Sequence, residues 1–143
     1  MRLTVVCYQR TRAAFWSEIE REYCQRLARH AQVELVAVRT WDERTGLPAR
    51  LLRSTRRIGL FADGQQWDSP GLARRLQALM NQGHSHLVFV IGGAAGMPAR
   101  AAAQVHDRWS LSRLTFGHRL ARLVLLEALY RSFDLLHGGP YHK

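Results

Sequence analysis

The sequence predicts an α/β domain built on a mainly parallel five-stranded sheet flanked by helices. Three observations predict this. Short apolar runs of strand character alternate with segments of helical periodicity. The run Leu87–Ile91 is apolar at every position, as a strand covered on both faces should be. At 143 residues the chain suits one domain whose core can fold alone, so residues 1–143 are expected to form a single unit.

Leu3–Cys7 is the first predicted strand. Gln9, Arg10 and Arg12 follow too closely for this run to be a signal peptide. Phe15 to Arg29 is predicted as a helix, with Trp16, Ile19, Tyr23 and Leu27 on one stripe and Glu18, Glu22, Arg26 and Arg29 mostly outside it. Val33–Val38 is the second strand. The stretch Arg39–Arg57 is the least regular and rich in arginine, with Pro48 starting a short helix. Ile58–Ala62 is the third strand, closed by a turn at Asp63-Gly64. Asp68-Ser69-Pro70 starts a helix, because a capping side chain is followed by proline in the first turn. Leu72, Leu76, Leu79 and Met80 form its buried stripe, and Asn81 to Gly83 ends it. After the fourth strand, Leu87–Ile91, come a helix from Pro98 to Asp107, a short fifth strand at Trp109–Ser112, and a last helix from His118 to about Leu136.

That last helix is apolar nearly all round: Leu120, Leu123, Val124, Leu125, Leu126, Leu129 and Phe133 cover most of its circumference. A helix on a sheet needs only one apolar stripe, and excess apolar surface on a monomer is a liability. A homodimer that buries this helix is the expectation.

The formal net charge is +10, and 20 of the 21 basic residues are Arg, Lys143 being the exception. Such a field favours a polyanion, most simply nucleic acid, and Arg adds bidentate phosphate contacts and stacking. The apolar runs are far too short for a membrane span. Cys7 and Cys24 sit in apolar surroundings and read as reduced core residues of a cytoplasmic protein. The seven His residues show no zinc-ligand spacing and are expected to be mostly exposed. No Gly-x-Ser-x-Gly, Cys-His or paired-carboxylate signature supports hydrolysis, and no metal is expected.

Gly92-Gly93-Ala94-Ala95-Gly96 follows a strand and precedes a helix, the setting of a phosphate-binding loop or of a tight βα turn. Arg119, Arg122 and Arg131 punctuate the last helix. Glu127 and Arg131 have i,i+4 spacing and can pair. Arg122 has no such neighbour, which makes it a candidate for recognising an anion or a carbonyl.

Taken together, Gly92-Gly93-x-x-Gly96, Trp109-Ser110-Leu111-Ser112-x-Leu114-Thr115-Phe116-x-His118, Arg122, Glu127, Leu129-Tyr130-Arg131 and Pro140-Tyr141-His142-Lys143 resemble the RlmH family of SPOUT-class methyltransferases. The resemblance follows the whole chain and is strongest from Leu87 onward. It implies an α/β knot, whose C-terminal segment forms a trefoil knot, and a homodimer with the C-terminal helix in its interface. It implies methyl transfer from S-adenosylmethionine to N3 of a pseudouridine in 23S ribosomal RNA, on the assembled 70S ribosome. By this resemblance the cofactor positions are Leu60, Gly92, Leu111, Ser112, Arg113, Leu114, Thr115 and Phe116. Leu60, Leu111, Leu114 and Phe116 would form an apolar slot for adenine, and Gly92 would let backbone approach without a Cβ. Loss of the N3 proton places negative charge on the ring carbonyls, so Arg122 or Arg131 would stabilise the transition state and His142 or His118 would take or relay the proton. Tyr141 could stack on a base, and the tail that carries it could reach the partner subunit's site. The sequence departs from the family pattern at Gly117, where proline is usual, and around Leu47–Thr55, which is shorter than usual. Two other readings compete: a non-catalytic basic dimer that binds RNA or the ribosome, and, more weakly, a nucleotide-binding enzyme of another class.

Overall fold

The computed structural model describes residues 1–9, 17–93 and 96–142. Five strands form one sheet: β1 (Arg2–Tyr8), β2 (Gln32–Val38), β3 (Arg56–Gln66), β4 (His86–Ile91) and β5 (Asp107–Ser110). Their order is β2-β1-β4-β3-β5, and every neighbouring pair is parallel. The side chains of β1 and β4 alternate between two cores. Leu3, Val5, Cys7, Leu87, Phe89 and Ile91 face helices α1 (Glu18–Leu27), α2 (Ser69–Asn81) and α4 (His118–Leu136). Val6, Tyr8, Val88 and Val90 face a 3-10 helix (Ala49–Leu52) and the short α3 (Ala99–Ala103). Burial on both faces is why β4 carries no polar residue after His86. β1 leads to β2 on one side, and its neighbour β4 leads to β5 on the other. The carboxyl ends of these central strands therefore open a crevice of the kind where α/β proteins bind ligands.

Several boundaries differ from the sequence reading for identifiable reasons. α1 begins at Glu18 because Ser17 caps it. The Ser17 hydroxyl accepts the Glu20 N–H at 3.2 Å, while the Glu20 carboxylate accepts the Ser17 N–H at 3.0 Å. Phe15 and Trp16, assigned to this helix from sequence, lie outside the described residues. β3 does not turn at Asp63-Gly64. It bulges there and resumes pairing with β5 at Gln65 and Gln66. Gly64 lies against the backbone of Trp109, where a Cβ would come within 2.5 Å of its carbonyl carbon, so a signal for a turn is used for a close strand approach. α3 stops at Ala103 and does not reach Asp107, because the next residues are tied elsewhere. The Gln104 Oε1 accepts the Leu47 N–H at 2.8 Å, and the His106 Nδ1 accepts the Arg57 N–H at 2.9 Å. β5 accordingly starts two residues early and ends at Ser110.

α4 packs against both α1 and α2, and Leu125, Leu126, Leu129 and Phe133 are buried within the chain. Much of the apolar circumference read from the sequence is thus covered by its own domain. Leu120, 51 % exposed, and the half-buried Leu123 and Val124 make up what is left. Both cysteines are free thiols; burial pushes each up to about 11. Only His106 and His137 of the histidines are exposed; the others are half-buried, contrary to expectation. Among the described residues no helix is long and apolar enough to cross a membrane, and no cluster of His, Cys, Asp and Glu is placed to hold a metal ion.

Candidate active site

A cavity of about 250 Å³ opens at the carboxyl ends of β3 and β4. One wall is Leu60, Phe61 and Ala62 from β3, and another is Ile91 to Gly93, Gly96 and Met97. Leu111, Ser112, Leu114, Thr115 and Phe116 from the segment after β5 form a third, and His118 and Ala121 of α4 close it. Of the expected cofactor residues, Leu60, Gly92, Leu111, Ser112, Leu114, Thr115 and Phe116 meet here. Arg113 does not. Neighbouring side chains of an extended segment diverge, and Arg113 is exposed beside Ala62 to Gln66 outside the cavity. Ile91, Met97 and Ala121 were not singled out from sequence, since ordinary apolar residues carry no signal of a ligand.

The glycines shape the loop more than they admit a ligand. A Cβ on Gly92 would stand 2.6 Å from the Met97 nitrogen, and one on Gly93 2.6 Å from the Tyr8 carbonyl oxygen and 2.7 Å from the Trp41 ring. Gly93 and Gly96 exchange backbone hydrogen bonds of 3.1 and 2.9 Å, and Gly96 has a φ of 95°. The loop is therefore drawn tight against itself, and only glycine fits. Ser110 fastens the opposite wall, its hydroxyl donating to Ala62 and Ser112 carbonyls at 3.1 and 2.9 Å.

His118 lies at the cavity edge with its Nε2 buried and without a hydrogen-bond partner among the described residues. Burial, and then the charges of Arg122 and Arg119, hold this imidazole below its ordinary pKa, so it is neutral near pH 7. An orphaned buried nitrogen of this kind suits a bound polar group.

Arg122 corrects the sequence reading, which left it without a partner. It is fully buried and forms a bidentate ion pair with Glu20 of α1, its Nη2 donating at 2.9 Å and its Nε to the other carboxylate oxygen. Its Nη1 donates to Gln9 Oε1 at 2.8 Å. Burial opposes charge on Glu20, but the hydrogen bonds and charge of Arg122, together with the Ser17 bonds, hold its carboxyl below the ordinary value. The guanidinium thus ties α4 to α1 and to Gln9, just past β1. A group so committed supports the site's walls from behind.

Arg131 lies at the other end of α4, half-exposed. It pairs with Glu127 at 2.9 and 3.1 Å, as the spacing predicts, and its Nη1 donates to His142 Nδ1 at 3.1 Å. Its guanidinium also stacks 4.8 Å from the Tyr141 ring. Tyr141 is held by an edge-to-face contact with Tyr130 and a 3.1 Å hydroxyl contact with Tyr23, and its N–H donates to Asp134 Oδ2 at 2.9 Å. Arg131, Tyr141 and His142 therefore form one cluster. Arg131 is thirteen positions beyond His118, about 20 Å along the helix axis, so the cluster and the cavity stand apart on one chain.

A glycine-drawn loop and a slot beside a parallel sheet accord with the class that the comparison shows: the chain matches the family described as "Predicted SPOUT methyltransferase" over residues 1–142 and belongs to that family of methyltransferases. Among curated relatives it is similar to proteins named ribosomal RNA large subunit methyltransferase H. The protein of Geotalea daltonii is 38 % identical over 152 residues, with 99 % of each chain covered. That of Anaeromyxobacter sp. strain Fw109-5 is 36 % identical over 154 residues, and that of Acetivibrio thermocellus 33 % over 159, with 100 % of each chain covered.

Proposed function

We propose that the protein methylates large-subunit ribosomal RNA with S-adenosylmethionine as donor, at N3 of a pseudouridine, and acts on the assembled ribosome in the cytoplasm as a knotted homodimer. The observation that carries this reading is the convergence of Leu60, Gly92 and Leu111 to Phe116, without Arg113, on one apolar cavity. The residues suit the cofactor. Leu60, Leu111, Leu114 and Phe116 offer an apolar slot, and backbone groups of the tight glycine loop and of the Leu111–Phe116 segment line its rim. The amino end of α4, with no acidic residue in its first turn, favours a carboxylate. The buried His118 Nε2 awaits a polar partner. The cofactor would supply an activated methyl group; the protein's part is position and electrostatics.

A second copy packed across α4 would bring its Arg131, Tyr141 and His142 to this cavity, which one chain cannot do across about 20 Å. Arg131 would then neutralise charge growing on the ring carbonyls as the N3 proton leaves, and Tyr141 would stack on a base. Arg131 can only donate, so His142 Nδ1 accepts and its Nε2 carries the proton. Held this way, His142 is a hydrogen-bond donor, and it takes a proton only after releasing Arg131. Neutral His118 is the other candidate base. Arg122, fully engaged with Glu20, positions the site and does not touch the base.

Calorimetric titration with S-adenosylmethionine and S-adenosylhomocysteine, followed by methyl transfer to 70S ribosomes, tests the reading. One site per subunit and a methyl group on pseudouridine N3 are expected. Gly92→Ala should weaken binding about 10- to 100-fold, because its Cβ overlaps the loop backbone. A folded protein that binds neither ligand would instead support the non-catalytic RNA-binding alternative.

A further inference from the structure

Outside the cavity, β3 continues past Ala62 and leads to a groove that the methyl-transfer chemistry leaves unused. Ala62 lines both the cavity and a surface depression formed by Asp63, Gly64, Gln65, Gln66 and Arg113. Gln66 in turn lines both that depression and the next, which Trp67, Arg74 and Arg75 complete. The depressions thus follow one another along β3, from Ala62 to Trp67.

Its chemistry is specific. The Trp67 ring is 36 % exposed and is fixed edge-to-face on Trp109, with centroids 5.7 Å apart, so it presents a rigid flat surface. The nearby carboxylates are committed. Asp63 pairs with Arg108 at 3.1 Å, Asp68 accepts the Gly71 N–H at 2.7 Å, and Asp107 is held bidentately by Arg56 at 2.9 Å. Arg75 forms a long ion pair of 4.0 Å with Asp107, and Arg74 and Arg113 have no ion pair among the described residues. An exposed aromatic plate, the guanidinium groups of Arg74 and Arg113 and the exposed Gln66 suit a single-stranded nucleic acid. Bases stack on the ring while phosphates meet arginine. The lining from Asp63 to Arg75 is mainly polar, while Trp67 also borders an apolar depression with Leu72, Val124 and Ala128.

We infer that the groove from Arg113 to Trp67 and Arg74 holds the single-stranded RNA that flanks the target nucleotide, with Trp67 stacking one base and Arg74, Arg75 and Arg113 on phosphates. This rests on the reading of the chain as a ribosomal RNA methyltransferase and names where its substrate strand runs. The probe is a fluorescent single-stranded polyuridine of about ten nucleotides, titrated into the full-length protein at several salt concentrations. Trp67→Ala should weaken binding about tenfold and Trp67→Phe much less. Arg74→Ala and Arg113→Ala should each lower the slope of log K against log salt by about 0.7. Because Trp67 also packs on Trp109, the arginine variants, which remove no core contact, keep the result readable. Affinity for S-adenosylhomocysteine and sedimentation should match the wild type. Wild-type failure to bind polyuridine, or unchanged affinity and slope in the variants, would overturn the inference. So would a change in oligomeric state with RNA affinity intact, which would make this face a contact between copies. Methyl transfer by the wild-type protein to 70S ribosomes is scored separately, so failure of the parent reading is seen apart from failure of the groove.

Discussion

Two arginines of α4 form ion pairs of opposite character, one across to α1 and one within α4. Arg122 and Glu20, 102 positions apart, are 0 and 5 % exposed and join α4 to α1. Arg131 and Glu127, one helical turn apart, are 26 and 27 % exposed and hold the tail. The difference lies in what water would do if the pair were broken. Removing one partner of the buried pair leaves a charge that nothing solvates. Removing one partner of the exposed pair costs little, because water replaces it. The guanidinium that the fold can spare is the one the proposed reaction would draw on.

The largest effect expected follows from this contrast. Arg122→Met should lower unfolding free energy by about 3–5 kcal/mol in urea titrations, and the double variant Arg122→Met/Glu20→Leu should recover most of it. If the double variant is as unstable as the single one, the cost lies in packing and the comparison breaks. Arg131→Ala should change stability by no more than about 1 kcal/mol, yet slow methyl transfer about 100-fold or more with cofactor affinity unchanged. Deleting Pro140–Lys143 should act the same way; full activity in either variant would remove the tail from the site.

The pH dependence sharpens the same contrast. The Glu20 carboxyl is held below its ordinary value of 4.5, so its stabilising contribution is complete above that pH and is lost as pH falls through the lower folded-state value. The acid limb of the wild-type stability curve should be steeper than that of the Arg122→Met/Glu20→Leu variant, as equilibrium unfolding between pH 2 and 6 would show. The smallest effect concerns Gly117, the residue before α4. Its φ of −58° is one that proline adopts, and a Cβ there meets nothing. Gly117→Pro should raise stability by about 0.4–1 kcal/mol by restricting the unfolded chain, readable as a higher Tm.

The strands, α2, α4 and most cavity residues were legible because each leaves a local mark: a period, a capping triplet, a glycine cluster or a motif. The Arg113 side chain lies outside the cavity, which could not be read from the sequence because a contiguous motif does not say which side chains point inward. Glu20 was overlooked, and Arg122 looked unpaired, because periodicity reports neighbours three or four positions away and their contact spans the chain. The bulge at Gly64 was hidden for a related reason: its partner, Trp109, is supplied by β5. Strand order, too, is set by contacts between segments far apart, and no local pattern encodes it.

The position of β1 has a consequence for how the molecule comes into being. It is an interior strand made well before its neighbour β4, which begins at His86, and Glu20 waits for Arg122. A nascent chain translated at about 5–20 residues per second would therefore carry a largely apolar strand with one edge unpaired for several seconds before the sheet could close around it. Such long-range closure makes slow, largely post-translational folding the natural course for this topology, and its early apolar strand a natural client for chaperones while the rest of the chain is made.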